Sequence, residues 1–419
     1  IPVTPPLMRY LPDSDSEDEL PSGWEEKATD DGHICYINNQ TKTAQWTHPR
    51  TGRTKRIANE MPIGWQRSFE EKTNRPIFHN QQTKQSTYVD PRLAFAIEEP
   101  TLDIAKVRQR FDGSTAALQI LHGKDLSGRL AVVTGANTGI GFETARSLAL
   151  HRCDVIFACR SCKSAEEAIT RLVNEKASLK DRCRYMQLDL GSFRSVQKFI
   201  AEMKENVRHV NYLILNAGVF ALPYTCTVDG LETTFQVSHL AHFHLTRELE
   251  QLFDHNTRII VLSSESHRFA NLASDNLKEQ HLSPPPEKYW SMMAYNNAKL
   301  CNVLFAQELK WKHRGISVFS VHPGNMVSTQ ISRNWWFYRL LFALVRPFTK
   351  TLQQAAATII YCATATELTG LSGLYFNNCF ICEASKLAQS VQLREQLWHL
   401  SEQMVKNILE RLERETYAY

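Results

Sequence analysis

Two short runs in this 419-residue chain carry groups able to act on one bound molecule. The first is Thr134-Gly135-Ala136-Asn137-Thr138-Gly139-Ile140-Gly141, and the second is Tyr295-Asn296-Asn297-Ala298-Lys299. The first follows an apolar, β-branched run and precedes a helical pattern, so it reads as a strand, a glycine turn and a helix. Gly135 permits the tight turn, while Gly139 and Gly141 let backbone approach a pyrophosphate and let the helix pack closely. Asn137, Thr138 and Ile140 complete a turn whose free N–H groups and positive helix end suit phosphate. The spacing is Gly-x-x-x-Gly-x-Gly rather than Gly-x-Gly-x-x-Gly. In the second run a phenol, a poor base at neutral pH, stands four residues before an ammonium and on the same helix face. A nearby ammonium favours the phenolate and lowers the phenol pKa. The pair therefore reads as a proton donor and acceptor beside a dinucleotide.

Such groups need a scaffold that unites distant parts of the chain. From residue 126 onward, apolar runs at 130–134, 154–158, 184–188, 212–215, 258–263, 317–321 and 374–376 alternate with helical stretches such as 142–151 and 195–204. This predicts an α/β fold, a doubly wound parallel sheet of seven strands with helices on both faces. Polar residues gather where those strands end: Arg160 and Ser161, Asp189 and Leu190, Asn216-Ala217-Gly218. Open α/β sheets bind ligands at those carboxyl ends. A site for NAD places an acid about 20 positions beyond the loop. Here Arg160 stands 21 residues after Gly139. A guanidinium suits a 2′-phosphate, so NADP is expected in preference to NAD. Near the C-terminus Leu397, Leu400, Met404, Ile408 and Leu412 form a helical stripe that fits core packing or an oligomer seam.

Over residues 126–400 these motifs resemble the short-chain dehydrogenase/reductase family, most nearly its retinol-dehydrogenase-like members. The resemblance implies a Rossmann-type fold and several roles. Tyr295 would be the general acid/base, Lys299 would also bond the nicotinamide ribose, and Ser264 after the fifth strand would hold the substrate oxygen. Pro323-Gly324 would lie beside the nicotinamide, with the loop through Ser328 and Thr329 covering it. The apolar stretch 335–345 would roof a lipophilic alcohol or carbonyl of steroid or retinoid type. Ser238 stands where the family has an asparagine that holds a proton-relaying water, which implies weakened activity. His239, His242 and His244 lack acidic partners and read as structural.

Before the dehydrogenase-like region lie two aromatic modules, with a repeat of 41 residues from Trp24 to Trp65. Each has turn signals between short β-rich runs. They resemble WW domains, at 20–50 and 61–92. The resemblance implies small cores of Trp24 with Pro49 and Tyr36, and of Trp65 with Pro91 and Phe78. It also implies slots for proline-rich, Pro-Pro-x-Tyr type partners. In the first slot Trp46 keeps one wall but Cys35 replaces the tyrosine, and Asn39 stands for the usual histidine. In the second, Ile77 and Tyr88 replace the aromatic pair and Gln81 the histidine. Two flat rings sandwich a proline better than a thiol or a branched alkyl group does. The first module is the expected binder.

Residues 1–19 are acidic and read as a disordered tail, with Ser14 and Ser16 set among acids. The basic run at 50–56 fits a nuclear import signal or a solvated linker. Residues 93–125 read as a linker, and 401–419 as a helical tail. A net charge of +4 is too small to argue for nucleic acid. Ten cysteines without a disulfide-like rhythm, and no secretory signal at the start, point to cytoplasm. The Cys159/Cys162 and Cys379/Cys382 pairs lack finger-like turns, so no metal is expected. The stretch 335–346 is short of the ~20 apolar residues of a span, which leaves peripheral membrane contact open. The alternative to an enzyme is a signalling adaptor that binds cofactor and turns over little.

Overall fold

The computed structural model describes residues 19–417 except 30, 51, 58–60, 63, 71–72, 74, 82, 99–106, 108, 273–276, 310–315 and 325–349. The expected acidic tail with Ser14 and Ser16, the loop with Ser328 and Thr329, and the apolar stretch 335–346 lie outside the described residues. The chain divides into two units, residues 1–101 and 102–419.

In the first unit β1 (Trp24–Ala28), β2 (Ile34–Asn38) and β3 (Thr43–Gln45) form one antiparallel sheet. Period-two alternation on β2 sends Ile34 and Tyr36 inward and leaves Cys35 and Ile37 half-buried. β4 (Lys55–Arg56) pairs with β8 (Ile97–Glu98), while β5 (Trp65–Phe69), β6 (Pro76–Asn80) and β7 (Ser86–Thr87) form a second three-stranded sheet. The core of the first module is larger than the resemblance implies. Besides Trp24 and Tyr36 it holds Ile57, with Leu93 and Ala96 packed on it. His48 meets the Tyr36 ring edge-on at 5.1 Å. A sheet of three short strands hides too little apolar surface alone, so the segment after the first module and the one after the second both pack on the core of the first. The basic run is part of this closure: its last two residues are β4, and Arg56 Nη2 reaches His33 Nε2 at 3.0 Å.

In the second unit, α1 (Ala117–Ile120) precedes β9 (Leu130–Thr134), α2 (Gly139–Leu150), β10 (Asp154–Cys159), α3 (Cys162–Glu175), β11 (Cys183–Gln187), α4 (Phe193–Asn206) and β12 (Tyr212–Leu215). Then come α5 (Thr233–Phe235), a π-helical turn (Gln236–Leu240), α6 (Ala241–Glu248), β13 (Arg258–Leu262), α7 (Glu279–Leu282) and α8 (Ser291–Glu308). β14 (Ser317–His322), α9 (Leu352–Thr364), β15 (Leu374–Asn377), β16 (Phe380–Cys382) and α10 (Val391–Tyr417) complete it. The sheet order is β11-β10-β9-β12-β13-β14-β15-β16. The first seven of these are parallel, and β16 adds an antiparallel edge.

The sheet therefore has eight strands rather than the seven expected. Asn378 and Cys379 both adopt positive φ, 53° and 59°, and so make a two-residue hairpin turn. The three-residue strand behind them is too short to show in an apolar pattern. Alternation along each buried strand splits the core in two. Val132, Ile156, Leu213, Ile259 and Val318 face one side, and Val133, Phe157, Ile214, Ile260 and Phe319 the other. Leu397, Met404 and Ile408 belong to the first layer, with Leu400 and Leu412 packed on it, so the C-terminal stripe is core. α10 runs unbroken through residue 400, where the tail was expected to begin. No described helix is long and apolar enough to cross a membrane.

Candidate functional site

β9 is the third strand in the sheet order, with β10 on one side and β12 on the other. The chain crosses over in opposite directions from it, which opens a crevice at the strand ends. The glycine turn occupies this point. Gly135 and Gly139 have φ of +66° and +60°, a region where side chains are strained. A Cβ on Gly141 would collide with the Asn216 amide and stand 2.5 Å from the Gly135 carbonyl oxygen. Asn216 Nδ2 donates to Thr134 O at 2.9 Å and so ties the end of β12 to the turn. The Ala217 amide donates to Thr134 Oγ1 at 2.9 Å. Asn137 Nδ2 reaches Ser164 Oγ at 3.2 Å, which joins the turn to the start of α3. Arg171 Nη2 donates to Asn137 O at 3.2 Å.

Arg160 follows β10 at the rim and is exposed, with no hydrogen bond or ion pair among the described residues. Ser161 is the N-cap of α3 and accepts from the Ser164 amide. Asp189 Oδ1 accepts from the Gly191 amide at 2.9 Å, so this carboxylate shapes its own turn. Leu190 is buried, and its carbonyl accepts from Gln236 Nε2 at 3.2 Å.

α8 brings Tyr295 and Lys299 to the same crevice. Lys299 is 5% exposed and its Nζ donates to Leu262 O at 3.1 Å. That Nζ lies 5.5 Å from the centre of the Tyr295 ring. It also lies 3.4 Å from where a Cβ on Gly218 would stand, as does Ser238 Oγ. Gly218 thus leaves room for both groups against the backbone after β12. Ser238 sits in the π-helical turn, and its hydroxyl accepts from the Val219 amide at 3.5 Å. Ser264 caps the short helical turn Glu265–Phe269, and its hydroxyl is near enough to the Tyr295 phenol to lower the phenol pKa. Phe220, which the sequence reading passed over, meets the Tyr295 ring edge-on at 4.8 Å.

Electrostatics differ from the expectation. Burial pushes the Tyr295 phenol up to about 12, with the Ser264 hydroxyl acting in the opposite direction. Burial pulls the Lys299 ammonium down to about 8. Desolvation dominates both shifts, and the Ser264 hydroxyl rather than the Lys299 ammonium is the group that draws the phenol down. The three histidines are hydrogen-bonding parts of the frame. His242 Nε2 is 3.0 Å from Thr134 Oγ1, His244 Nε2 is 3.1 Å from Gln197 Nε2, and His239 Nδ1 is 3.2 Å from Asn302 Oδ1. Burial lowers all three, His239 to about 4 and His242 to about 3.

At the end of β14, Pro323 is half-buried and Gly324 has φ of +110°. The Lys350 side chain fills the space a Cβ on Gly324 would need, and its Nζ donates to Asn378 Oδ1 at 2.6 Å. In the first unit Trp46 is 55% exposed, with the His33 ring edge-on at 6.2 Å, and Tyr88 is 58% exposed. Cys35 and Ile77 lie half-buried on the middle strands. Among the described residues no group of three or more His, Cys, Asp or Glu could hold a metal.

Comparison with known proteins bears on this arrangement. A short chain dehydrogenase family model matches residues 129–273, and a WW domain model matches residues 20–49. A WW domain-containing oxidoreductase of Drosophila melanogaster is 70% identical over 405 residues, covering 96% of this chain and 99% of that protein. One from Homo sapiens is 48% identical over 412 residues, covering 96% and 98%. Retinol dehydrogenase 12 of Mus musculus is 35% identical over 304 residues, covering 72% of this chain and 92% of its own. A solved structure of an uncharacterised protein from Mycobacterium paratuberculosis superposes with a TM-score of 0.54 at 26% identity, covering 67% of this chain and 95% of that one. The chain belongs to the short-chain dehydrogenase/reductase family, among its oxidoreductases that carry WW domains.

Proposed function

We propose that this oxidoreductase uses NADP to interconvert a lipophilic alcohol and its carbonyl, while its WW modules recruit proline-rich partners. The observation that carries the reading is the meeting of Tyr295, Lys299 and Ser264 beside the glycine turn. The residues fit the cofactor. The bare Gly141 lets α2 close onto the turn, because a Cβ there would strike Asn216 and the Gly135 carbonyl, and the exposed Arg160 guanidinium suits a 2′-phosphate. Gly135, Asn137, Thr138, Gly139, Ile140 and Gly141 would hold the pyrophosphate, with Asp189, Leu190, Asn216, Ala217 and Gly218 along the crevice. Pro323 and Gly324 would border the nicotinamide. When bound, the cofactor supplies or accepts the hydride.

The remaining chemistry belongs to the chain. Tyr295 donates a proton to the substrate oxygen in reduction and accepts it in oxidation. Ser264 donates a hydrogen bond to the same oxygen. The Lys299 ammonium stabilises the phenolate as it forms, which matters because burial pushes the phenol up to about 12. Phe220 gives the crevice an apolar wall beside Tyr295. The names of the retinol dehydrogenase relatives support a retinoid-like substrate.

The first WW module is the proposed Pro-Pro-x-Tyr binder, through Trp46 and Cys35. Ile77 and Tyr88 make a weaker slot in the second. Cytoplasm, with passage to the nucleus through the 50–56 run, is the proposed location. Ser238, in place of asparagine, favours a second reading: an adaptor whose dehydrogenase domain binds cofactor but turns over little. The test is turnover of steroid and retinoid panels with NADPH or NADH by the wild type and by Tyr295→Phe. The enzyme reading expects NADPH-dependent turnover that the phenylalanine removes. Equal rates for the two proteins, or none with tight NADPH binding, favour the adaptor.

A further inference from the structure

Asn302 sits where the Tyr295–Lys299 helix meets the two other elements of the site. It follows Lys299 by three residues and Tyr295 by seven, so the three share one face of α8. The side chain is 2% exposed. Its Nδ2 donates twice, at 2.9 Å to Leu262 O at the end of β13 and at 3.0 Å to Ser238 O in the π-helical turn. Its Oδ1 faces His239 Nδ1 at 3.2 Å, and His239 Nε2 lies 3.5 Å from Ser401 Oγ on α10. This pattern assigns His239 as the Nδ1–H tautomer, donating to Asn302 and accepting from Ser401. A primary amide has two N–H donors and one carbonyl acceptor, and here all three are used: one donor on the end of β13, the other donor and the acceptor on the π-helical turn.

The Leu262 carbonyl is also the acceptor of the Lys299 ammonium. Ser264 lies two residues further along the same backbone. The oxygen that anchors Lys299 and the segment that presents Ser264 are therefore held by one buried amide. We infer that Asn302 is a positioning residue, which sets the Lys299 ammonium and the Ser264 hydroxyl relative to Tyr295 in a corner where position 238 supplies no asparagine side chain. Loss of the amide leaves Lys299 as the remaining donor to Leu262 O. It also removes the donor that Ser238 O receives from α8, so the strand end and the π-helical turn can drift apart. The inference rests on the oxidoreductase reading above.

Among the described residues, the titratable groups facing this corner are Tyr295 and Lys299 on α8, His239 in the π-helical turn and His242 on α6. The end of β13 contributes backbone only. The test measures kcat against pH for the full chain as wild type, Asn302→Ala, Asn302→Ser and Ser401→Ala. The Ser401 variant loosens the same network from its far end without touching Leu262 O. A positioning role expects Asn302→Ala to lower kcat by about 10-fold or more and to move the governing pH midpoint by roughly half a unit or more. Asn302→Ser, which keeps one donor, should fall between, and Ser401→Ala should keep the wild-type midpoint. The inference is overturned if Asn302→Ala keeps the wild-type midpoint, or if its loss matches that of Ser401→Ala at equal thermal stability. Should the alanine variant not fold, the serine variant carries the same comparison. Should the wild type turn over nothing, the parent reading has failed. The pH dependence of NADPH binding then decides: a shifted midpoint in the Asn302 variants supports the positioning role, and an unshifted one overturns it.

Discussion

The two units hold their proposed working side chains in opposite environments. Trp46 and Tyr88 stand open on thin sheets, whereas Lys299 and Ser238 lie inside a double-layered core. A ring that grips a passing peptide must be exposed before the peptide arrives, and its module can be small. An ammonium that steers a phenol must be shielded, because in water its influence at several ångströms is slight. Shielding raises the Tyr295 pKa and lowers that of Lys299, so the second unit carries a desolvation cost that the first avoids.

The contrast can be broken most sharply at Tyr295. Tyr295→Phe should lower kcat by about 10²- to 10⁴-fold while leaving the unfolding midpoint and NADPH affinity near wild type, read by steady-state rates, calorimetry and titration. In the first unit the large effect should fall on a buried ring. Tyr36→Ala should cost about 3–5 kcal/mol of module stability in denaturant titrations. Trp46→Ala, at the exposed slot, should stay within about 0.5 kcal/mol and lose Pro-Pro-x-Tyr peptide binding. If both substitutions unfold the module, the slot and the core are not separable.

Smaller effects sharpen the picture of the second unit. Arg160→Asp should weaken NADPH about 10- to 100-fold and leave NADH nearly unchanged, since only one of them carries the 2′-phosphate. Equal losses for the two would assign Arg160 no part in cofactor choice. Lys299→Met should abolish turnover yet stabilise the fold at pH 7. Its folded pKa is depressed from 10.5 to about 8, so the unfolded chain binds the extra proton between those values. Wild-type stability therefore rises with pH across that window, and the burial cost is greatest below it. After allowance for the lost hydrogen bond to Leu262 O, the gain at pH 7 should be about 1–2 kcal/mol. It should fade above pH 10.5, as followed by urea titrations at several pH values.

Much of the second unit was legible because its signals are local. A run such as Leu130–Thr134 declares a buried strand, and Gly135, Gly139 and Gly141 declare a turn whose backbone no side chain would permit. Tyr295 and Lys299 share a helix face by spacing alone. The parts that stayed hidden are non-local. Phe220 lies far from Tyr295 in sequence, and nothing near it marks it as a wall of the crevice. Asn302 looks like any polar residue on α8 until Leu262 and Ser238 are brought against it. Ile57, Leu93 and Ala96 sit in stretches that read as linkers, although they complete the core of the first module. The pKa of Tyr295 followed the same division. The lysine expected to lower it was visible in the sequence, while the desolvation that raises it depends on packing.

The most direct test of the central claim, that Tyr295 delivers a proton beside the nicotinamide of a cofactor whose pyrophosphate lies at the glycine turn, is a single-turnover experiment with NADPH deuterated at its transferable position. Wild-type protein mixed with an apolar aldehyde or ketone panel should yield deuterated alcohol. The rate should fall at least about 100-fold in Tyr295→Phe, with cofactor binding preserved. Deuterium transfer at equal rates in both proteins, or no NADPH binding by the wild type, would contradict the account.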